Sequence, residues 1–130
     1  MTGDEATELA RAYVALSNAH RSDLLRPLFA HDAIYRSTGV GEHRGVDAII
    51  DMMRQFFERY PDVHWTCHGY RSSGRRVSFE FALEARPAGN AQPLRRGGVE
   101  HIDFDADGLI ESLQVVGHDT APLPDPPTQE

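Results

Sequence analysis

Cysteine is nearly missing from this 130-residue chain: Cys67 stands alone, so no disulfide can close within it and no thiolate cluster can hold a metal. Basic residues are also in the minority, 13 against 20 acidic ones, and the net charge of -7 argues against nucleic acid or an anionic membrane as a partner. No apolar run approaches membrane-spanning length, and the opening Met1-Thr2-Gly3-Asp4-Glu5 is acidic where a signal peptide would be basic. A cytoplasmic protein that stays off membranes is therefore expected. No internal repeat is visible, nor a glycine-rich phosphate loop between a strand and a helix, nor a Gly-x-Ser-x-Gly elbow. His64-x-x-x-His68 would hold its imidazoles about 13 Å apart on a strand, too far for one ion. No metal and no cofactor are expected.

What remains is an ordinary globular composition, 40% hydrophobic and 25% charged, of a length that suits one domain. That domain is expected over residues 1–119. Residues 120–130 hold Pro122, Pro124, Pro126 and Pro127 and read as a mobile tail, since proline cannot join a sheet. Between Asp4 and His20, the apolar residues Ala6, Leu9, Ala10, Tyr13 and Leu16 are spaced three and four apart, the stripe of an amphipathic helix. Acidic residues crowd its first turns, with His20 and Arg21 at its end, which complements the helix dipole. A second, short helix capped by Ser22 is expected around Leu24, Leu25 and Leu28, disturbed by Pro27. Ala33 to Ser37 reads as a brief strand, followed by a loop through Gly39, Gly41 and Gly45. The strongest helical period runs through Val46, Ile49, Ile50, Met53, Phe56, Phe57 and Tyr60 and stops at Pro61.

Four alternating stretches follow: Val63 to Tyr70, Val77 to Arg86, Leu94 to Phe104 and Leu109 to His118. Helices followed by strands point to an α+β class, with three N-terminal helices packed in the concave face of a curved antiparallel sheet. Val63, Trp65 and Cys67 are assigned to the core face of their strand, leaving His64, Thr66, His68 and Tyr70 outside. The stretch Gly98 to Phe104 organises the chain, because alternation puts Glu100, Ile102 and Phe104 on one face and Val99, His101 and Asp103 on the other. A carboxyl in register with Ile102 and Phe104 is either a rim or dimer-contact residue reaching water, or sits in an apolar cavity with its pKa raised. The Gly97-Gly98 pair marks a bulge or a close backbone approach.

Four segments resemble the ketosteroid isomerases and SnoaL-like polyketide cyclases of the nuclear-transport-factor-2-like fold, over roughly residues 8 to 118. They are Arg11-Ala12-Tyr13-Val14-Ala15-Leu16-Ser17-Asn18, Leu28-Phe29-Ala30-His31-Asp32-Ala33, the Arg44-Gly45-Val46-Asp47-Ala48-Ile49 start of the third helix, and Glu100-His101-Ile102-Asp103-Phe104. In the ketosteroid isomerases a helix-one tyrosine and a protonated aspartic acid on a late strand donate hydrogen bonds to a developing oxyanion, while another aspartate moves the proton. By resemblance Tyr13 takes the tyrosine's place and Glu100 that of the protonated acid. Ser37 falls at or near the position of the base, and a serine hydroxyl cannot abstract a proton near pH 7 unaided. Histidine is the usual substitute. His118 is the first choice, on the strand face that the resemblance turns inward with Gln114 and Val116; His43, in the glycine loop, could swing over a ligand.

The resemblance thus implies a small cofactor-independent enzyme that isomerises, cyclises or dehydrates an apolar carbonyl- or epoxide-bearing molecule. Tyr13, Glu100, His118 and Ser37 are its candidate catalytic residues. Tyr35, Met53, Phe57, Phe79, Phe81, Ile102, Gln114 and Val116 are its candidate binding residues. It also implies a homodimer built on the outer face of the sheet, where Val99, His101 and Ile110 are expected. The same fold hosts many functions, so a non-catalytic binding or dimerisation module is the rival reading. A deep pocket reaching Glu100 would favour the enzyme, and a cone filled by Met52, Met53, Phe56 and Phe79 the rival.

Overall fold

The first helix starts where its sequence provides a cap. In the computed structural model, which describes residues 1–86 and 93–117, α1 spans Gly3–Asn18, and Thr2 and Glu5 form a reciprocal capping box at its N-terminus. His118, the 119/120 boundary and the proline-rich tail lie outside the described residues. Helix α1 ends at Asn18, short of the two basic residues expected to close it. His20 lies beyond, at φ 56°, with its ring stacked on Phe57 and Nε2 2.8 Å from the Val63 carbonyl oxygen.

The short helix α2 (Ser22–Leu25) has Arg21 rather than Ser22 at its N-cap, and Pro27 falls in a 3-10 turn over Arg26–Leu28. The first N–H groups of such a turn have no partner within it, so proline fits there. Strand β1 (Phe29–Ser37) begins four residues earlier than alternation suggested, and the glycine loop holds a strand of its own, β2 (Gly41–Arg44). Helix α3 (Val46–Arg59) follows, with Val46, Ile49, Ile50 and Met53 buried along one stripe. Then come β3 (His64–Ser73), β4 (Arg76–Ala85), β5 (Leu94–Phe104) and β6 (Ile110–Gly117).

Among the described residues the six strands form one curved, unclosed sheet in the order β2-β1-β6-β5-β4-β3. The sheet is mixed rather than wholly antiparallel, because β1 and β6 run parallel. Helices α1 and α3 pack on its concave side, α1 against β3 and β4 and α3 against β1 and β2. Fully buried Phe79, Phe104, Ile102 and Leu113 join them to the sheet. Burying one such side chain contributes about 1.5–3 kcal/mol.

Two irregularities change which side chains face inward. A bulge between His68 and Arg71, with Gly69 at φ 70°, lets Tyr70 follow Trp65 and Cys67 to the concave side, where it stacks on Phe79 at 4.9 Å. Tyr70 was expected outside. A register shift between Asp103 and Phe104 pairs Phe104 with Ile110 and Asp103 with Ser112. Ile110 is thereby buried in the core, not on the outer face, and Leu113 and Val115 turn inward while Gln114 and Val116 are exposed. At Gly98 the reading of close approach holds, since a Cβ there would run into the Val116 carbonyl.

Candidate active site

A cavity of about 410 Å³ opens between α1, α3 and the concave face of the sheet. Tyr13 and Ser17 reach it from α1, Met53 and Phe57 from α3, and Tyr35, Phe81 and Glu100 from the sheet. Met52, Met53 and Phe56 line this space and do not fill it, and Phe79 belongs to the core behind.

Glu100 sits in the middle of β5, between Phe79 of β4 and Val115 of β6. Its side chain is 4% exposed, and its Oε1 has no hydrogen-bond partner. Burial disfavours the carboxylate, so the pKa is pushed from the ordinary 4.5 up to about 8. The acid form is the resting form at neutral pH. Tyr13 is held in α1, whose turn is closed beneath it by the Ser17 hydroxyl donating to the Tyr13 carbonyl at 2.8 Å. Its phenol is raised well above the ordinary value, first by burial and then by the negative charges that Tyr35 and Glu100 would carry. Tyr35 is raised for the same reasons, offset in part by a hydrogen bond with Tyr13. The inner wall therefore carries a neutral carboxyl and two neutral phenols. Each carries an O–H on the cavity lining, and one of the two phenol hydrogens is shared between Tyr13 and Tyr35.

The other expected site residues separate clearly. Tyr35, Met53, Phe57 and Phe81 line the cavity, whereas Phe79 and Ile102 are wholly buried behind it. Gln114 and Val116 point to the opposite side of the sheet, and Val115 takes the inward position between them. Ser37 lies on the cavity wall, but its Oγ accepts the backbone N–H groups of Gly39 (3.0 Å) and Val40 (3.4 Å), which commits its lone pairs to the turn. His43 is tied to the Val40 carbonyl at 2.9 Å. His64 and His68 face solvent, His68 within 3.1 Å of a Glu80 carboxylate oxygen. Among the described lining residues Glu100 is the sole carboxyl and histidine is absent. No cluster of three metal-ligating side chains occurs among the described residues, and none of their helices is long and apolar enough to cross a membrane.

Sequence reasoning placed Trp65 inward without assigning it to the pocket, and it missed Val115 and Arg96. Arg96 was findable, because it shares strand parity with Glu100. Val115 was not, because the irregularity that brings it inward leaves no mark in the local sequence.

The fold is that of a known family. Residues 10–113 match the SnoaL-like domain, and the chain belongs to that family. The solved structures agree on the fold. An NTF2-like protein of unknown function from Exiguobacterium sp. 255-15 superposes with a TM-score of 0.75 at 24% identity, covering 86% of this chain and 99% of that one. An LEH-like epoxide hydrolase from M. tuberculosis gives 0.77 at 16% identity, over 88% and 84%. SalBIII, an epoxide hydrolase/cyclase-like enzyme of pyran ring formation in the polyether salinomycin, gives 0.79 at 16%, over 90% and 93%. No curated protein matches the chain at a significant level.

Proposed function

We propose that the protein is a cofactor-independent acid/base enzyme that isomerises, cyclises or dehydrates a small, mostly apolar molecule bearing a carbonyl or epoxide oxygen. The observation that carries this reading is Glu100 itself, a buried carboxyl on the lining of an open cavity that two phenols also line. A ligand oxygen in that cavity can accept the hydrogen bonds that a neutral carboxyl and a phenol donate. As negative charge grows on that oxygen, Glu100 with Tyr13 or Tyr35 stabilises it in surroundings that screen little. The departing proton goes to a bound water.

One observation favours a non-catalytic binding module instead. The hydroxyl of Ser37, at the base position, is committed to its turn. Deuterium exchange separates the two readings. An enzyme accelerates exchange at the carbon next to the carbonyl of bound cyclohexenone, followed by NMR in heavy water, and loses the acceleration in Glu100→Ala. Binding without exchange identifies the module and sinks the enzyme.

A further inference from the structure

The mouth of the cavity is chemically unlike its inner wall. Arg96 lies two pairs along β5 from Glu100 on the same inward parity, opposite Leu83, which is buried. A charged side chain on the concave face of a sheet needs a reason, and Arg96 reaches open solvent only because the strand has come to the rim there. Its guanidinium lies against Gly39 of the β1–β2 turn, so closely that a Cβ at Gly39 would collide with it. It thus spans the opening from β5 to that turn. Among the described residues it holds no carboxylate or hydrogen-bond partner, while Arg21, Arg26, Arg36, Arg44, Arg54 and Arg76 all do. Arg95 also lines the rim.

The charge balance is the second observation. The chain carries a net charge of -7, yet the charged side chains on the described cavity lining, apart from Glu100, are both arginines. With Glu100 in its neutral form, Arg96 places a positive charge at the mouth of a cavity in an acidic protein.

We infer that the ligand of this cavity is an amphipathic anion, with its oxygen at Glu100 and Tyr13 and a carboxylate at the other end of an apolar body, bound by Arg96. The inference rests on the proposed reading of the inner wall as the oxygen site. Four residues of strand separate the two Cα atoms by about 13 Å, and side chains reaching inward from both ends leave a span that a short carbon chain covers. The guanidinium suits a carboxylate because its paired N–H groups match two oxygens.

Trp65 is the chain's one tryptophan and lines the cavity, so its fluorescence reports occupancy. The probes are δ-benzoylvalerate, a keto acid, and its methyl ester. In the wild type at low salt the acid binds about tenfold more tightly than the ester, a preference that shrinks as salt rises. Arg96→Gln abolishes the preference by weakening the acid about tenfold more than the ester. Glu100→Ala weakens acid and ester alike, which tests the oxygen site separately. Equal binding of acid and ester by the wild type, or equal loss of both in Arg96→Gln, overturns the anion site. An unchanged ester affinity in Glu100→Ala overturns the oxygen site while the acid preference stands. If neither probe binds, both assignments fall.

Discussion

The Asn18 side chain makes both hydrogen bonds of the Trp65 backbone: its Nδ2 donates to the Trp65 carbonyl at 2.9 Å, and its Oδ1 accepts the Trp65 N–H at 2.7 Å. One amide thus does for β3 what a neighbouring strand would do, and it holds the last turn of α1 against the start of β3. Because Tyr13 lies on α1 and Trp65 on the cavity wall, the pair also ties together two elements that line the cavity.

Asn18→Ala should therefore cost about 2–4 kcal/mol, since two hydrogen bonds go and a part-buried N–H and C=O lose their partners. In a domain of this size that lowers Tm by about 10 °C. Asn18→Asp should recover little, because a carboxylate then faces the Trp65 carbonyl. Thermal unfolding checks both, and a loss under about 2 °C for Asn18→Ala would show the contact is not held in solution.

In the exchange assay Glu100→Ala and Tyr13→Phe should each lose on the order of ten- to a thousandfold in rate, the scale of one oxyanion donor. Glu100→Gln should keep part of the activity, because an amide still donates. Loss in Gln as complete as in Ala would mean that Glu100 moves a proton and does not merely offer one.

The division between what the sequence revealed and what it hid follows from where periodicity is interrupted. Glu100 was legible because β5 is regular from Leu94 to Asp103, so its alternation with Ile102 carries through to the fold. Helix α3 was legible for the same reason. The parity of β6 was not, because the shift at Phe104 is a property of how two strands meet and not of either one. The outward assignment of Tyr70 failed at Gly69, where a glycine inside an alternating run was the available sign of a bulge. The parallel pairing of β1 with β6 joins the two ends of the domain, a distance no local pattern spans.

The resemblance implies a homodimer, and the outer face of the sheet gives it a location. Val99 and Val116 lie directly opposite one another there, and Val116 is 37% exposed, among the few large apolar side chains in water in the described structure. Covering this face with a second copy would remove it from solvent. Light scattering should return twice the chain mass, and Val116→Asp should shift the protein toward monomer at micromolar concentration. A wild type that stays monomeric at every concentration rules the dimer out.

The pH dependence of stability tests Glu100 without any substrate. Its pKa rises from 4.5 in the unfolded chain to about 8 in the fold, so at pH 4 both states hold the proton and its contribution is fully present. Between those values the unfolded chain releases the proton and the folded one keeps it. Unfolding then loses about 1.4 kcal/mol of cost per pH unit, on the order of 5 kcal/mol in all, and above pH 8 the loss levels off. Glutamine at this position has no proton to release. Urea unfolding of wild type and Glu100→Gln at pH 5, 7 and 9 should therefore give curves whose difference grows with pH, with the wild type losing stability relative to the variant. The same titration should switch off any rate that needs the protonated acid as pH passes about 8. Carbon NMR of the Glu100 carboxyl reads the midpoint directly, and a value near 4.5, or a pH-independent difference between the two proteins, would mean a solvated carboxylate and end the mechanism built on it.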